Sequence, residues 1–204
     1  MATIYDLKPR FQALLRPVSD ALVRARLSAN DVTLGALLLS AAHGAWLALM
    51  PNSRWPLLLL PVTLFLRMAF NAIDGMMAKE HGQASAAGAV LNELSDVIAD
   101  AALYLPFAIL GLNAALVVLV VVTGVITEMA GALGPMIGAP RRYDGPLGKS
   151  DRAFAFGLLA VLLGIGIAPG LWSTLYLAAL LLLSALTVLN RARSVVAEAK
   201  GRQA

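Results

Sequence analysis

Cysteine is absent from the 204 residues, which excludes disulfides, thiolate catalysis and zinc-thiolate centres. Charge is scarce at 14% of residues, and the two histidines, His43 and His81, stand isolated without metal-ligand spacing. His81 reads as a loop residue and His43 as a polar group in helix packing. No tandem repeat, low-complexity segment or polar stretch of soluble-domain size interrupts the chain. The first residues are charged and amphipathic, so they do not read as a signal peptide. What fills the sequence instead is apolar: 59% hydrophobic residues and a mean hydropathy of +0.78, in runs that recur along the whole length. This is the composition of an integral membrane protein.

Six runs approach the ~20 residues that a bilayer crossing needs: Val32 to Met50, Trp55 to Ala78, Ala86 to Leu112, Ala114 to Ile137, Ala153 to Ile167 and Leu171 to Leu189. Pro51-Asn52-Ser53, Gly111-Leu112-Asn113, Pro140 and Pro169-Gly170 mark their ends. The expected fold is all-α and polytopic: a single domain over residues 1–204, with a six-helix transmembrane bundle over 32–194. Ahead of it, over 1–30, Ile4, Leu7, Phe11, Leu14, Val18 and Leu22 recur at three- and four-residue steps among Lys8, Arg10, Arg16 and Arg24. That pattern predicts an amphipathic helix on the cytoplasmic membrane surface.

The sixteen Lys and Arg residues are distributed unevenly. They cluster before the first run, at Lys79, from Arg141 to Arg152, and after the sixth run, whereas Arg54 alone occupies a loop on the other side. By the positive-inside rule both termini are cytoplasmic. The pI near 9.8 is then accounted for by topology and anionic lipid, and requires no nucleic acid.

Carboxylates in apolar helices are costly and mark function by default. At roughly 100° per residue, Asn92, Glu93, Asp96 and Asp100 share one face of the third run, and Arg67, Asn71, Asp74 and Ala78 share a stripe on the second. The link between them, about Lys79 to Ala84, is short, so the helices are antiparallel neighbours whose stripes can meet. Asn71, Asp74, Asn92 and Asp96 then offer oxygen ligands for a hard cation, with Glu93 and Asp100 in reserve. Gly75, Ala78, Gly82, Ala84, Ala86, Ala87 and Gly88 leave space around them. Small residues also serve plain helix packing, but beside carboxylates they point to a substrate cavity.

Asp74-Gly75-Met76-Met77-Ala78-Lys79, followed by Gly88 to Asp96, resembles the signature of the CDP-alcohol phosphotransferases, D-x-x-D-G-x-x-A-R, a spacer, then G-x-x-x-D-x-x-x-D. Asn30-Asp31-Val32-Thr33 is similar to that family's P-N-x-x-T segment, with Ala29 in place of proline. The resemblance spans nearly the whole chain and implies transfer of a phosphoryl-linked group from a CDP-alcohol to an acceptor hydroxyl, with release of CMP. It implies one or two Mg²⁺ or Mn²⁺ ions, Asp74 among the metal ligands, Asp96 as general base, and Asn30, Thr33, Gly75, Ala78, Lys79 and Gly88 around the nucleotide. A homodimer in a bacterial inner membrane, with the active site cytoplasmic, is also implied.

Three positions depart from the pattern. Asn71 and Asn92 replace the first and third aspartates, and Lys79 replaces arginine. Each Asp-to-Asn exchange removes a negative charge, and a lysine lacks the planar fork that grips phosphate twice. The chain is similar in this to a bacterial, phosphatidylglycerophosphate-synthase-like branch that carries such asparagines.

Glu128 and Arg67 are intramembrane charges, expected to pair with each other or with polar neighbours. The basic segment Arg141 to Arg152 and the end of the last run supply Lys149, Arg152, Arg191 and Arg193 as candidate ligands of a phosphorylated acceptor, although topology also explains them. The expected reaction is phosphatidyl transfer from CDP-diacylglycerol to a small phosphorylated alcohol such as glycerol 3-phosphate. A CDP-lipid-binding member without turnover is one alternative. A small divalent-cation transporter is another, with no inverted repeat and a one-sided carboxylate cluster against it.

Overall fold

The chain was analysed as a computed structural model that describes residues 4–203, with side chains described for 11–200. The side chains of Ile4, Leu7, Lys8 and Arg10 in the amphipathic pattern, and of Arg202, therefore lie outside the described residues. Seven α-helices follow one another: α1 (Ile4–Arg24), α2 (Ala29–Leu49), α3 (Arg54–Glu80), α4 (Ala86–Tyr104), α5 (Ala114–Ala132), α6 (Lys149–Gly164) and α7 (Leu171–Gln203). No strand occurs among the described residues, so the expected all-α class holds.

Local chemistry fixes the boundaries. Ser28 and Asp31 form a reciprocal cap at the start of α2: the Ser28 N–H donates to Asp31 Oδ2 at 2.8 Å and the Asp31 N–H to Ser28 Oγ at 3.2 Å. Ser85 Oγ accepts the Gly88 N–H at α4, and Asn113 Oδ1 the Leu116 N–H at α5. The third apolar run was expected to continue to Leu112, but α4 ends at Tyr104 and a 3-10 turn covers Leu105–Ile109. Pro106 lacks the N–H that an α-helix would need there. Pro135 likewise converts the end of the fourth run into the 3-10 turn Gly134–Ile137, closed by Gly138 at φ +77°.

Four helical segments are long and apolar enough to cross a membrane: Ala29–Leu49, Arg54–Glu80, Ala114–Ile137 and Leu171–Lys200. Helix α6, with 16 residues, is short for that criterion, and α4 carries Glu93, Asp96 and Asp100.

Packing divides the chain into two units, Met1–His43 with Val62–Asp100, and Gly44–Pro61 with Ala101–Ala204. In the first, α1 lies against α2 and α3. Ala29, Val32, Ile73 and Met77 form a buried core, and Leu15, Leu22, Val23, Phe70 and Ala78 pack on it. The Phe11 ring meets Phe65 edge-on, and Arg16 pairs with Glu80 at 2.9 Å. Helix α1 turns these residues inward while Leu14 and Val18 stay exposed. His43 Nδ1 hydrogen-bonds Thr63 Oγ1 at 2.8 Å, the helix-packing role expected of it. His81, just beyond α3, lies 3.1 Å from Asp20.

The second unit is built on α5 and α7. Tyr104 stacks on Phe156 with ring centroids 4.1 Å apart, and Phe107 meets the same ring edge-on. Thr187 pins the segment before α6: its Oγ1 accepts the Leu147 N–H at 2.9 Å, and its methyl abuts Gly145. Gly145 has φ +124°, a conformation that glycine tolerates and a side chain does not.

Candidate active site

Two contacts link signature residues in the first unit. Asn71 on α3 donates its side-chain N–H to Asp96 Oδ1 on α4 at 3.1 Å, so the two polar stripes meet. One turn after Asn71, the buried Asp74 accepts the Thr33 hydroxyl from α2 at 2.8 Å. Thr33 also bonds the Ala29 carbonyl, which fixes its rotamer. Helices α2, α3 and α4 thus each supply a side chain to the contacts Thr33–Asp74 and Asn71–Asp96. Loop and helix are tied further by the Ala29 N–H, which donates to Gln83 Oε1 at 2.7 Å.

The glycines differ in what surrounds them. A side chain at Gly75 would meet nothing within 4 Å, so its face opens onto free space. At Gly88 a Cβ would meet Asn30 Oδ1 at 2.8 Å and Ser85 Oγ at 2.9 Å. Gly88 and Asn30, distant in sequence, are therefore neighbours, and only a residue without a side chain fits between them. Ala78 is half-buried, and Lys79 is exposed at the end of α3.

Among the described residues, no three His, Cys, Asp or Glu side chains form a group that could hold a metal. The donor set is nevertheless that of a hard cation, two carboxylates and two amides, all oxygen donors. The expected ligands Asp74, Asp96, Asn71 and Asn92 offer this donor chemistry. Glu93 is half-buried on α4. Asp100 is committed elsewhere: it is buried and takes the Arg67 guanidinium at 2.5 Å. Arg67 also donates to the Asp96 carbonyl at 2.9 Å and approaches Asp96 Oδ1 at 3.6 Å. Arg67 thus pairs with the α4 carboxylates, not with Glu128. The sequence signal for this was its spacing, four residues before Asn71, facing an aspartate four residues after Asp96.

Glu128 sits in the second unit as the hub of an arginine cluster. Its Oε1 lies 3.0 Å from Arg152 Nη2, and its Oε2 lies 3.3 Å from Arg141 Nη2 and 3.3 Å from Arg191 Nη1. Glu128, Arg152 and Arg191 are all buried. Arg191 also donates to the Thr127 and Asp144 carbonyls at 2.8 and 3.1 Å. Helix α5 makes room with small residues at helical spacing: a Cβ at Gly124 would press on the Arg152 side chain, and one at Gly131 on Arg191 Nη1 and the Arg142 carbonyl. Of the four candidate acceptor ligands, Arg152 and Arg191 share this cluster, Lys149 is half-buried at the start of α6, and Arg193 is exposed. Sequence reading did not single out Arg141 as a member. Burial lowers the Arg141 proton affinity, and the neighbouring Arg191 adds to this. Arg142 faces two carboxylates at 2.7 Å, Asp144 and Glu198.

Among the described residues the fold is all-helical, with four helices long and apolar enough to cross a membrane, and it carries the signature residues on α3 and α4. The profile of the CDP-alcohol phosphatidyltransferase family matches residues 26–189, and the chain belongs to that family. It is 45% identical to the inner membrane protein YnbA of Escherichia coli (strain K12) over 95% of this chain and 96% of that protein. It is also 29% identical to the archaetidylinositol phosphate synthase of Aeropyrum pernix, over 79% of this chain and 80% of the other. In fold it resembles the phosphatidylinositol phosphate synthase PgsA1 of Mycobacterium tuberculosis. The structure of that protein with CDP-DAG bound aligns with a TM-score of 0.75 at 21% identity, over 90% of this chain and 94% of that one. Its complex with manganese and citrate aligns at 0.73 and 22% identity, over 89% and 88%.

Proposed function

We propose that this chain is a metal-dependent phosphatidyltransferase, which moves the phosphatidyl group of CDP-diacylglycerol to a small phosphorylated alcohol and releases CMP. The observation that carries the reading is the Asn71–Asp96 contact beside Thr33–Asp74. These contacts join signature positions on separate helices, and Gly75, next to Asp74 in sequence, has an open face, which supports an oxygen-lined site there. Family membership gives the reaction class, and the manganese and CDP-DAG seen in the Mycobacterium protein support the same ligands here.

Asp96 takes the proton of the acceptor hydroxyl. The hydroxyl oxygen bonds to the phosphorus that carries diacylglycerol, and the bond from that phosphorus to the CMP phosphate oxygen breaks. A bound Mg²⁺ or Mn²⁺ ion supplies charge neutralisation of the pyrophosphate. Asp74, Asn71 and Asn92 would hold it with Asp96, while Asn30, Thr33, Gly75, Ala78 and Gly88 would frame the nucleotide and Lys79 would add a single point charge. Arg152, Arg191, Lys149 and Arg193 select a phosphorylated acceptor. Glycerol 3-phosphate is the specific choice, and the inositol phosphate products named for two relatives put inositol phosphate beside it.

All six helices after α1 span the membrane in this reading. Although α4 carries the acids, Val90, Leu94 and Ile98 form an exposed apolar stripe along it, and Phe154 and Leu158 do the same on α6. The inner-membrane relative and the distribution of cations support an inner-membrane protein with cytoplasmic termini and site and α1 at that surface, and the family resemblance implies a homodimer. Purified protein with CDP-diacylglycerol and an acceptor panel should release CMP and yield a new lipid by mass spectrometry. Absence of CMP release with every acceptor would overturn the enzyme reading. Nucleotide binding without turnover would instead favour a CDP-lipid binder, the second reading that Asn71 and Asn92 support.

A further inference from the structure

The signature extends by one helical turn on each helix. Arg67 lies four residues before Asn71 and is 3% exposed, and Asp100 lies four residues after Asp96 and is 6% exposed. Arg67 binds Asp100 through Nη1, while its Nη2 reaches the Asp96 carbonyl and stands 3.6 Å from Asp96 Oδ1. The other hydrogen-bond donor at Asp96 Oδ1 is the Asn71 amide. These two neighbours of the oxygen therefore present positive or partial positive charge, which opposes a second cation at Asp96.

Resting on the transferase reading, we propose that Arg67 is a fixed cation built into the metal site, so that the chain binds one divalent ion and not two. Asp74, Asp96 and Asp100 set against Arg67 leave two net negative charges, which one divalent ion neutralises. Glu93, half-buried on the same helix as Asp96, makes a contact of its own and stays outside this balance. A second divalent ion at Asp96 would sit beside a buried guanidinium, where repulsion is weakly screened. With asparagine at two signature positions the carboxylates for a second ion are also missing. Arg67 is in this account a positioning residue: it holds the Asp96 backbone and carboxylate and supplies charge without itself touching the reacting atoms.

Mn²⁺ titration of the purified full chain without nucleotide, read by calorimetry and by electron paramagnetic resonance of free ion, tests this. The wild type should bind one Mn²⁺ per chain, and Asn71→Asp with Asn92→Asp should still bind one, rising to two only when Arg67→Gln is added. Arg67→Gln removes a nearby positive charge and should lower the Mn²⁺ dissociation constant about tenfold, whereas Arg67→Lys should stay near wild type. If Arg67 only held the helices together, Arg67→Gln would bind Mn²⁺ more weakly or unchanged, and that result overturns the proposal. Two ions in the wild type, or none, also overturn it. If Arg67→Gln does not fold, Asn71→Asp with Asn92→Asp decides: one ion with Arg67 in place supports the proposal, and two overturn it. CMP release measured in parallel separates the two readings: turnover with two bound ions removes only this inference, and one bound ion without turnover removes only the transferase.

Discussion

Asn71 hands its amide N–H to the Asp96 carboxylate at 3.1 Å, joining the first and last signature positions across α3 and α4. The contact aligns the residue proposed as general base. Asp96→Asn keeps the size of the side chain and removes its capacity to take a proton. It should reduce CMP release by at least about a hundredfold, the usual contribution of general-base catalysis, while CDP binding by calorimetry remains. Turnover at the wild-type rate would remove Asp96 from that role.

Gly75 gives a test in which stability and binding move apart. No atom lies within 4 Å of a side chain placed there, and alanine is favoured over glycine in a helix by about 1 kcal/mol. Gly75→Ala should therefore leave the melting temperature unchanged or raise it. If the free space belongs to the nucleotide, KM for CDP-diacylglycerol should rise. An unchanged KM would mean that the open face of Gly75 is not the nucleotide site.

The chemistry-bearing residues were legible in the sequence because their spacing matches the 3.6-residue repeat: Asn71 and Asp74 on one helix, Asn92 and Asp96 on the next. Helix existence followed from the apolar runs. Their ends were less legible, since Pro106 and Pro135 turn the last residues of two runs into 3-10 segments. Partner choice among buried charges was hidden. Arg67 and Glu128 both needed partners, yet the sequence offered several, and only the packing shows that Arg67 takes Asp100 while Glu128 takes three arginines. The glycines that make room for those arginines, Gly124 and Gly131, lie in a helix whose composition otherwise reads as plain membrane span.

Asp144 supplies a pH dependence outside the apolar helices. Hydrogen bonds from Arg142 lower its proton affinity, and Asp144 correspondingly raises that of Arg142. An unfolded Asp144 titrates at the ordinary carboxylate value, so the pair's contribution is complete above that value and fades as pH falls through the lowered folded one. Both side chains are partly exposed, at 28% and 43%, so the effect is small and salt-sensitive. Melting temperatures from pH 7 down to pH 3 should fall less steeply for Asp144→Asn than for the wild type. Parallel curves would show that the pair adds nothing.

Glu128 lies within 3.3 Å of Arg141, Arg152 and Arg191. Glu128→Gln keeps the shape but removes the carboxylate that these three guanidiniums share, and loss of one partner of a buried ion pair costs about 3–5 kcal/mol. The melting temperature should fall clearly. A purely structural cluster would leave the rate per folded molecule unchanged. If Arg152 and Arg191 also hold the acceptor phosphate, their loss of alignment should raise KM for the phosphorylated acceptor several-fold while KM for CDP-diacylglycerol stays constant. Steady-state kinetics with each substrate varied in turn separates these outcomes, and an unchanged acceptor KM would return the cluster to packing alone.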